Sequence, residues 1–223
     1  MPHKKNSYQD LLKNNREWAS KQTEKENNFF DEMSKHQDPK FFFIGCSDSR
    51  VPLTSLTESE AGEIFVQRNI ANQVNLTDFN TLSAIEFAVI SLKVEHIIVL
   101  GHYKCGGIHV AVDGVEGEEL VENWVSSIND LYHFHKKELE LIPNEQHRYD
   151  KLSELNVIAQ LKNLLRTPIM QRSFRNDHYV AIHGWIFDIY TGLLKELELP
   201  FEVWIEQELL PADYEEVVKI RFQ

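Results

Sequence analysis

The sequence predicts an α/β fold: a mostly parallel central β-sheet with flanking crossover helices, preceded by an N-terminal helical arm. Three observations predict it. Phe41-Phe42-Phe43-Ile44-Gly45-Cys46, Ile64-Phe65-Val66 and Ile97-Ile98-Val99-Leu100 are short, almost wholly apolar runs, the pattern of strands buried on both faces. Between the second and third, Leu82, Ile85, Ala88, Val89 and Leu92 recur at helical spacing. Strand, helix and strand therefore alternate, as a parallel sheet with crossover helices requires. Ahead of the first run, Tyr8 to about Lys35 is rich in Lys, Glu, Asn and Gln and is apolar only at Leu11, Leu12, Trp18, Phe29, Phe30 and Met33.

Taken in order, that first stretch reads as a helical arm over 1–38, ended by Pro39. A helix this polar is marginal alone in water, so its aromatic positions are expected to dock on the main domain or on a partner subunit. The α/β core is expected over 39–223, the whole of 1–223 forming a single domain. After Gly106-Gly107 the chain reads as helical from Ile108 to Val112, followed by the acidic stretch Glu116 to Glu122 and an amphipathic segment to about Leu141. A helix is expected from Asp150 to about Leu165, a strand at Tyr179-Val180-Ala181-Ile182-His183, and a last strand at Phe201-Glu202-Val203-Trp204-Ile205.

Composition narrows the functional classes. Of 223 residues, 42% are hydrophobic and 26% charged, enough for one compact core. The formal net charge of -12 sets the overall field against nucleic acid and anionic membrane surfaces as partners. No stretch approaches the ~18 apolar residues of a bilayer span, and the start has no apolar leader, so a cytoplasmic location is expected. Cys46 and Cys105 are the only cysteines, too few for a disulfide framework and consistent with a reducing compartment.

The two cysteines fall in motifs at the C-terminal ends of expected strands, where sites gather in open parallel sheets. These are Cys46-Ser47-Asp48-Ser49-Arg50 and Gly101-His102-Tyr103-Lys104-Cys105-Gly106-Gly107. His102 and Cys105, three residues apart, can grip one ion, and Cys46 can join them from the neighbouring strand. Three protein ligands leave a fourth position open, as in catalytic zinc sites, and thiolate with imidazole favours zinc over magnesium or calcium. Asp48 and Arg50, two apart on a turn, can form a charge-assisted pair that turns a carboxylate oxygen toward the metal water. Arg68 reads either as a structural pair-former or as part of an anion site. His109, His133, His135 and His178 lack the spacing for a second metal, and no phosphate loop or Ser-His-Asp set stands out.

Together with Phe65-Val66-Gln67-Arg68-Asn69 and His183-Gly184-Trp185, these motifs resemble β-class carbonic anhydrase of the bacterial type, in the same order and over Phe41 to about Gly192. The resemblance implies one Zn2+ per chain on Cys46, His102 and Cys105. It also implies reversible hydration of carbon dioxide to bicarbonate and a proton by a zinc-bound hydroxide oriented by the Asp48–Arg50 dyad. In part of the family the residue matching Asp48 closes onto zinc as a fourth ligand. Phe65, Ile70 and Phe87 would line the carbon dioxide pocket, the Gly106 backbone would bind the anion, and the chain would form a homo-oligomer, dimer or tetramer, with pocket residues crossing the interface. A bicarbonate regulatory site of that subgroup would fall on Phe43, Arg68 and Phe187. Two polar aromatic groups are replaced there by phenylalanine, so weak bicarbonate binding and an Asp48 that stays paired with Arg50 are expected. Rival readings are hydrolysis of a sulfur analogue such as carbon disulfide on the same fold, and a non-catalytic protein in which zinc only stabilises the fold.

Overall fold

The computed structural model describes residues 7–222. The chain divides into two compact units at the Asp38–Pro39 boundary. The first holds α1 (Tyr8–Lys25) and α2 (Phe29–Lys35), two helices within the expected helical arm, of which residues 1–6 lie outside the described residues. Ser7 and Asp10 close a capping box at the start of α1. None of the residues of α1 is buried; Trp18, Phe29 and Phe30 pack edge to face on one another, while Tyr8, Leu11 and Leu12 stay exposed.

The second unit is built on β1 (Phe41–Cys46), α3 (Leu53–Thr57), β2 (Ile64–Asn69), α4 (Phe79–Glu86), β3 (His96–His102) and α5 (Gly106–Asp113). Then come α6 (Glu119–Trp124), α7 (Ser126–Phe134), α8 (Lys136–Leu139), α9 (Glu145–Arg166), α10 (Pro168–Arg175), β4 (Ala181–Asp188), β5 (Leu193–Glu196), α11 (Phe201–Glu206) and α12 (Tyr214–Phe222). The strand order is β2-β1-β3-β4-β5, with the first four parallel and β5 antiparallel on the edge. The mostly parallel sheet with crossover helices is thus as the sequence predicts.

Because successive strand residues face opposite sides, the apolar runs feed two layers. Phe42, Ile44, Ile97, Val99, Ile182 and Ile186 pack against α4, α9 and α10 through Ile85, Val157, Leu161, Leu164 and Met170. Phe43, Ile98, Leu100 and Phe187 pack with Val51 and Leu53 on the other face. Helix α9 lies close on the sheet because two strand positions are glycine. A Cβ at Gly101 would come within 2.6 Å of Val157 Cγ2, and one at Gly184 within 3.1 Å of Leu161 and Val157.

Three expectations need correction. Phe201–Ile205 is helix, not strand: Pro200 precedes it, and Phe201, Trp204 and Ile205 turn inward at helical spacing. The last strand is the short, polar Leu193–Glu196, and the strand placed at Tyr179–His183 begins at Ala181 and runs on to Asp188. The amphipathic segment to Leu141 is three short helices, kinked at Val125 and His135.

Candidate metal centre

From β1 the chain steps outward to β2, then returns across β1 to lay β3 on its other side. The strand order therefore reverses between β1 and β3, and the crevice beyond their C-terminal ends is where doubly wound sheets place ligands. Cys46 ends β1, His102 ends β3, and Cys105 follows at the N-terminal end of α5. All three are buried, and their ligand atoms lie within 4.8 Å of one another.

The cluster fits a zinc ion on the chemistry of its donors. The two sulfurs are 3.9 Å apart, close to the roughly 3.8 Å edge of a tetrahedron with ~2.3 Å zinc–sulfur bonds. His102 Nδ1 pairs with the Tyr103 carbonyl at 2.9 Å, which fixes the tautomer that leaves Nε2 as an acceptor. That Nε2 is fully buried and has no hydrogen-bond partner among the described residues, the signature of an atom kept for a ligand. The thiol of Cys46 is pushed down to about 4, first by the hydrogen bond from Cys105 and further by His102 and the Ala71 amide, against the effect of burial. Cys105 is pushed up by the same partner and by burial. The pair thus shares one proton, and a bound dication would displace it.

Beside the cluster, Arg50 grips Asp48 with both ends of its fork: Nε to Oδ1 at 2.9 Å and Nη2 to Oδ2 at 2.6 Å, with the Arg50 amide on Oδ1 at 2.9 Å. Nη2 also donates to the Lys104 carbonyl at 3.0 Å, tying the dyad to the loop between the other two ligands. The Arg50 bonds hold the Asp48 carboxyl down to about 2. Its Oδ2 sits 3.7 Å from His102 Nε2, so the carboxylate faces the space the three ligands enclose.

The other residues singled out by sequence divide into groups. Ile70 lies beside Gly107, and its carbonyl accepts from Trp124 Nε1, so it stands near the cluster together with Gly106 at the start of α5. Phe65 and Phe87 pack on each other, 5.7 Å between rings, at the far end of β2. Register pairs Phe65 with Phe42, four residues before Cys46, about 13 Å along the strand. A single chain therefore does not bring Phe65 and Phe87 to the metal ligands. Phe43 and Phe187 are buried in one apolar cluster with Val51, while Arg68 gives its Nε and Nη2 to backbone carbonyls of Cys46, Asp48 and Val51. His183 pairs with Glu196 through Nδ1 and with His96 through Nε2, and Trp185 Nε1 also reaches Glu196, so this motif ties β3, β4 and β5 together.

Sequence reasoning missed the support behind Cys46. Ala71 and Asn72 are buried non-glycine residues in the left-handed region (φ 60 and 48), a conformation that has to be held by its surroundings. It aims the Ala71 amide at Cys46 Sγ, 3.4 Å away. Asn156 in α9 donates to the Ala71 carbonyl at 3.0 Å, and Gln160 accepts from Val74 N at 2.8 Å. The available signal was two amides four residues apart on the mostly apolar buried stripe of α9.

Against known proteins, the carbonic anhydrase family model matches residues 41–194. The chain belongs to the β-carbonic anhydrase family. A carbonic anhydrase of Emericella nidulans is 38% identical over 87% of this chain and 85% of its own length, and one of Candida albicans is 36% identical over 86% and 68%. Among solved structures, a tetrameric β-carbonic anhydrase of Sordaria macrospora superposes with a TM-score of 0.81 at 36% identity, covering 85% of this chain and 96% of that one. A Coccomyxa β-carbonic anhydrase in complex with acetazolamide gives 0.81 at 32% identity, covering 96% and 97%. The chain is thus an enzyme of the carbonic anhydrase type, and its Cys-His-Cys cluster lies inside the matched region. Among the described residues no helix is long and apolar enough to cross a membrane.

Proposed function

We propose that this enzyme hydrates carbon dioxide reversibly at one zinc ion per chain, held by Cys46, His102 and Cys105, with Asp48 and Arg50 orienting the attacking water. The observation that carries the reading is the unpartnered, buried His102 Nε2 enclosed by two sulfurs and faced by a doubly clamped carboxylate. Bound there, zinc would acidify a coordinated water and polarise the substrate oxygen.

The remaining work falls to the chain. Asp48, ionised across the working pH range, accepts a hydrogen from the attacking water on the lone pair of Oδ2 that Arg50 leaves free, and so sets the direction of the other lone pair. Arg50 keeps the carboxylate from swinging away. The amide of Gly106, first residue of α5, donates to the bicarbonate oxygen, and the helix N-terminus favours the anion as charge develops. Carbon dioxide is apolar and uncharged, so Ile70 with Phe65 and Phe87 can hold it without a cationic clamp. Since one chain keeps Phe65 and Phe87 away from the ligands, a homo-oligomer, dimer or tetramer, completes the pocket. The tetrameric Sordaria relative supports that assembly.

The dyad also bears on regulation. Asp48 is engaged by Arg50, and of the residues expected to form the bicarbonate site Phe43 and Phe187 are buried in one apolar cluster. The Arg50 clamp, and an Arg68 already engaged by the carbonyls of Cys46, Asp48 and Val51, support a site that stays open, with Asp48 off the metal.

Stopped-flow carbon dioxide hydration with a metal determination tests the reading. Cys46→Ser, His102→Ala and Cys105→Ser should each lose zinc and activity together. Full zinc in any of the three removes that residue from the ligand set, and a zinc-loaded wild type without hydration activity removes the proposed reaction.

A further inference from the structure

The turn that carries Asp48 and Arg50 is braced by a side chain for which the proposed reaction has no use. Arg68 stands on β2 directly across from Gly45 in the register. Its guanidinium reaches the end of β1. Nε and Nη2 both donate to the Cys46 carbonyl, at 2.9 and 2.6 Å, and Nη2 is shared with the carbonyls of Asp48 and Val51, each at 3.0 Å. Between the last two, the Val51 amide closes the turn on the Asp48 carbonyl at 3.1 Å. Three carbonyl dipoles of one six-residue stretch therefore converge on a single cation. Such bonds are charge-assisted and directional, and a lysine could not make the forked set.

We infer that Arg68 is a positioning residue for Asp48. Arg50 fixes the carboxylate and Arg68 fixes the backbone from which it hangs, so the side chain meets both Arg50 and the space beside His102 Nε2 only while the turn is clamped. This assigns Arg68 a cationic role toward carbonyls, in contrast to that of an anion receptor, since an anion at Nη2 would have to displace three oxygens already bound. The inference rests on the proposed reaction for its kinetic readout, and a second readout is independent of it.

The test is Arg68→Ala and Arg68→Lys, each alone and combined with Asp48→Ala, measured for zinc per chain, kcat, KM and amide exchange. Arg68→Ala should keep its zinc and lower kcat by about 10- to 100-fold with KM little changed, the scale expected from misplacing a reacting group by ~1 Å. Added guanidinium should restore part of the rate. On the Asp48→Ala background the same change should cost almost nothing, because there is no carboxylate left to place. Equal losses on both backgrounds, or no loss in the single variant, overturn the inference. Should wild-type protein prove inert toward carbon dioxide, only the functional reading falls, and exchange decides: the Val51 amide should exchange faster in Arg68→Ala while β1 stays protected. Unchanged exchange at Val51 overturns it. If Arg68→Ala does not fold, Arg68→Lys, with charge kept and fork lost, carries the same comparisons.

Discussion

Asp48 has little chemical freedom left. Arg50 occupies Oδ1 twice and Oδ2 once, which leaves the Oδ2 lone pair facing His102 Nε2 as its acceptor for water. Asp48→Asn would set an amide NH2 either against the donors of Arg50 or toward the water, where it can no longer accept. It should keep zinc and lose about 10²- to 10⁴-fold in kcat, the range of a positioned proton-handling group. Stopped-flow hydration and metal analysis on one preparation check this, and a rate near wild type would remove the dyad from the mechanism. The residues of this site were legible because residue type and spacing declare their chemistry: two cysteines, a histidine and an Asp-x-Arg, in two motifs that begin at or next to the C-terminal ends of β1 and β3. What stayed hidden acts through the backbone. Lys104 offers a carbonyl to Arg50 from a left-handed conformation (φ 56), and Ala71 offers an amide to Cys46 from another. Neither residue type announces such a role, and neither is the glycine that would flag a positive φ.

At the scale of elements, the site depends on how closely α9 lies on β3 and β4, and two glycines set that distance. Gly101→Ala should be the more damaging change, since its Cβ would fall 2.6 Å from Val157 Cγ2 and 3.0 Å from Ile186 Cδ1, both in packed core. Overpacking of this kind costs about 1–3 kcal/mol, which for a chain of this size lowers Tm by several degrees. Gly184→Ala meets its neighbours at 3.1 to 3.2 Å and should cost less. Thermal denaturation of the two variants measures the order; equal, negligible shifts would mean that α9 has slack. The buried strands β1 and β3 were readable because both faces demand apolar residues. β5 was not, as four residues containing Lys195 and Glu196 on an exposed edge carry no such demand. α11 was misread because its six residues fit alternation and helical period alike, and only the pairing of β4 with the segment before it decides between them.

For the molecule as a whole, stability should fall as pH drops below about 6.5, the ordinary histidine value. Burial pushes His96 and His178 down, with help from His183 on the first and from Lys93 and Arg221 on the second. The unfolded chain therefore takes up protons before the folded one does, and stability present above that pH is lost as pH falls toward the folded values. Tm at pH 7.5 and 5.5 should differ less in His178→Gln than in wild type, and an identical difference would clear His178. Association sets the larger constraint. A chain of formal net charge -12 repels its own copies, so any stable contact needs apolar surface to offset the charge. β2 lies on the sheet edge with Val66 exposed, and Phe79, Phe87 and Ile90 are exposed on α4 and the turns that continue it. The same stretch carries Phe65, whose strand partner Phe42 lies about 13 Å along β1 from Cys46, and Phe87, which packs on it. Ile90→Glu should therefore weaken association and activity in parallel while zinc stays bound, and raising the protein concentration should restore both. Sedimentation and hydration rates across a dilution series decide it: a monomer with full zinc and full activity would show that Phe65 and Phe87 take no part in the pocket.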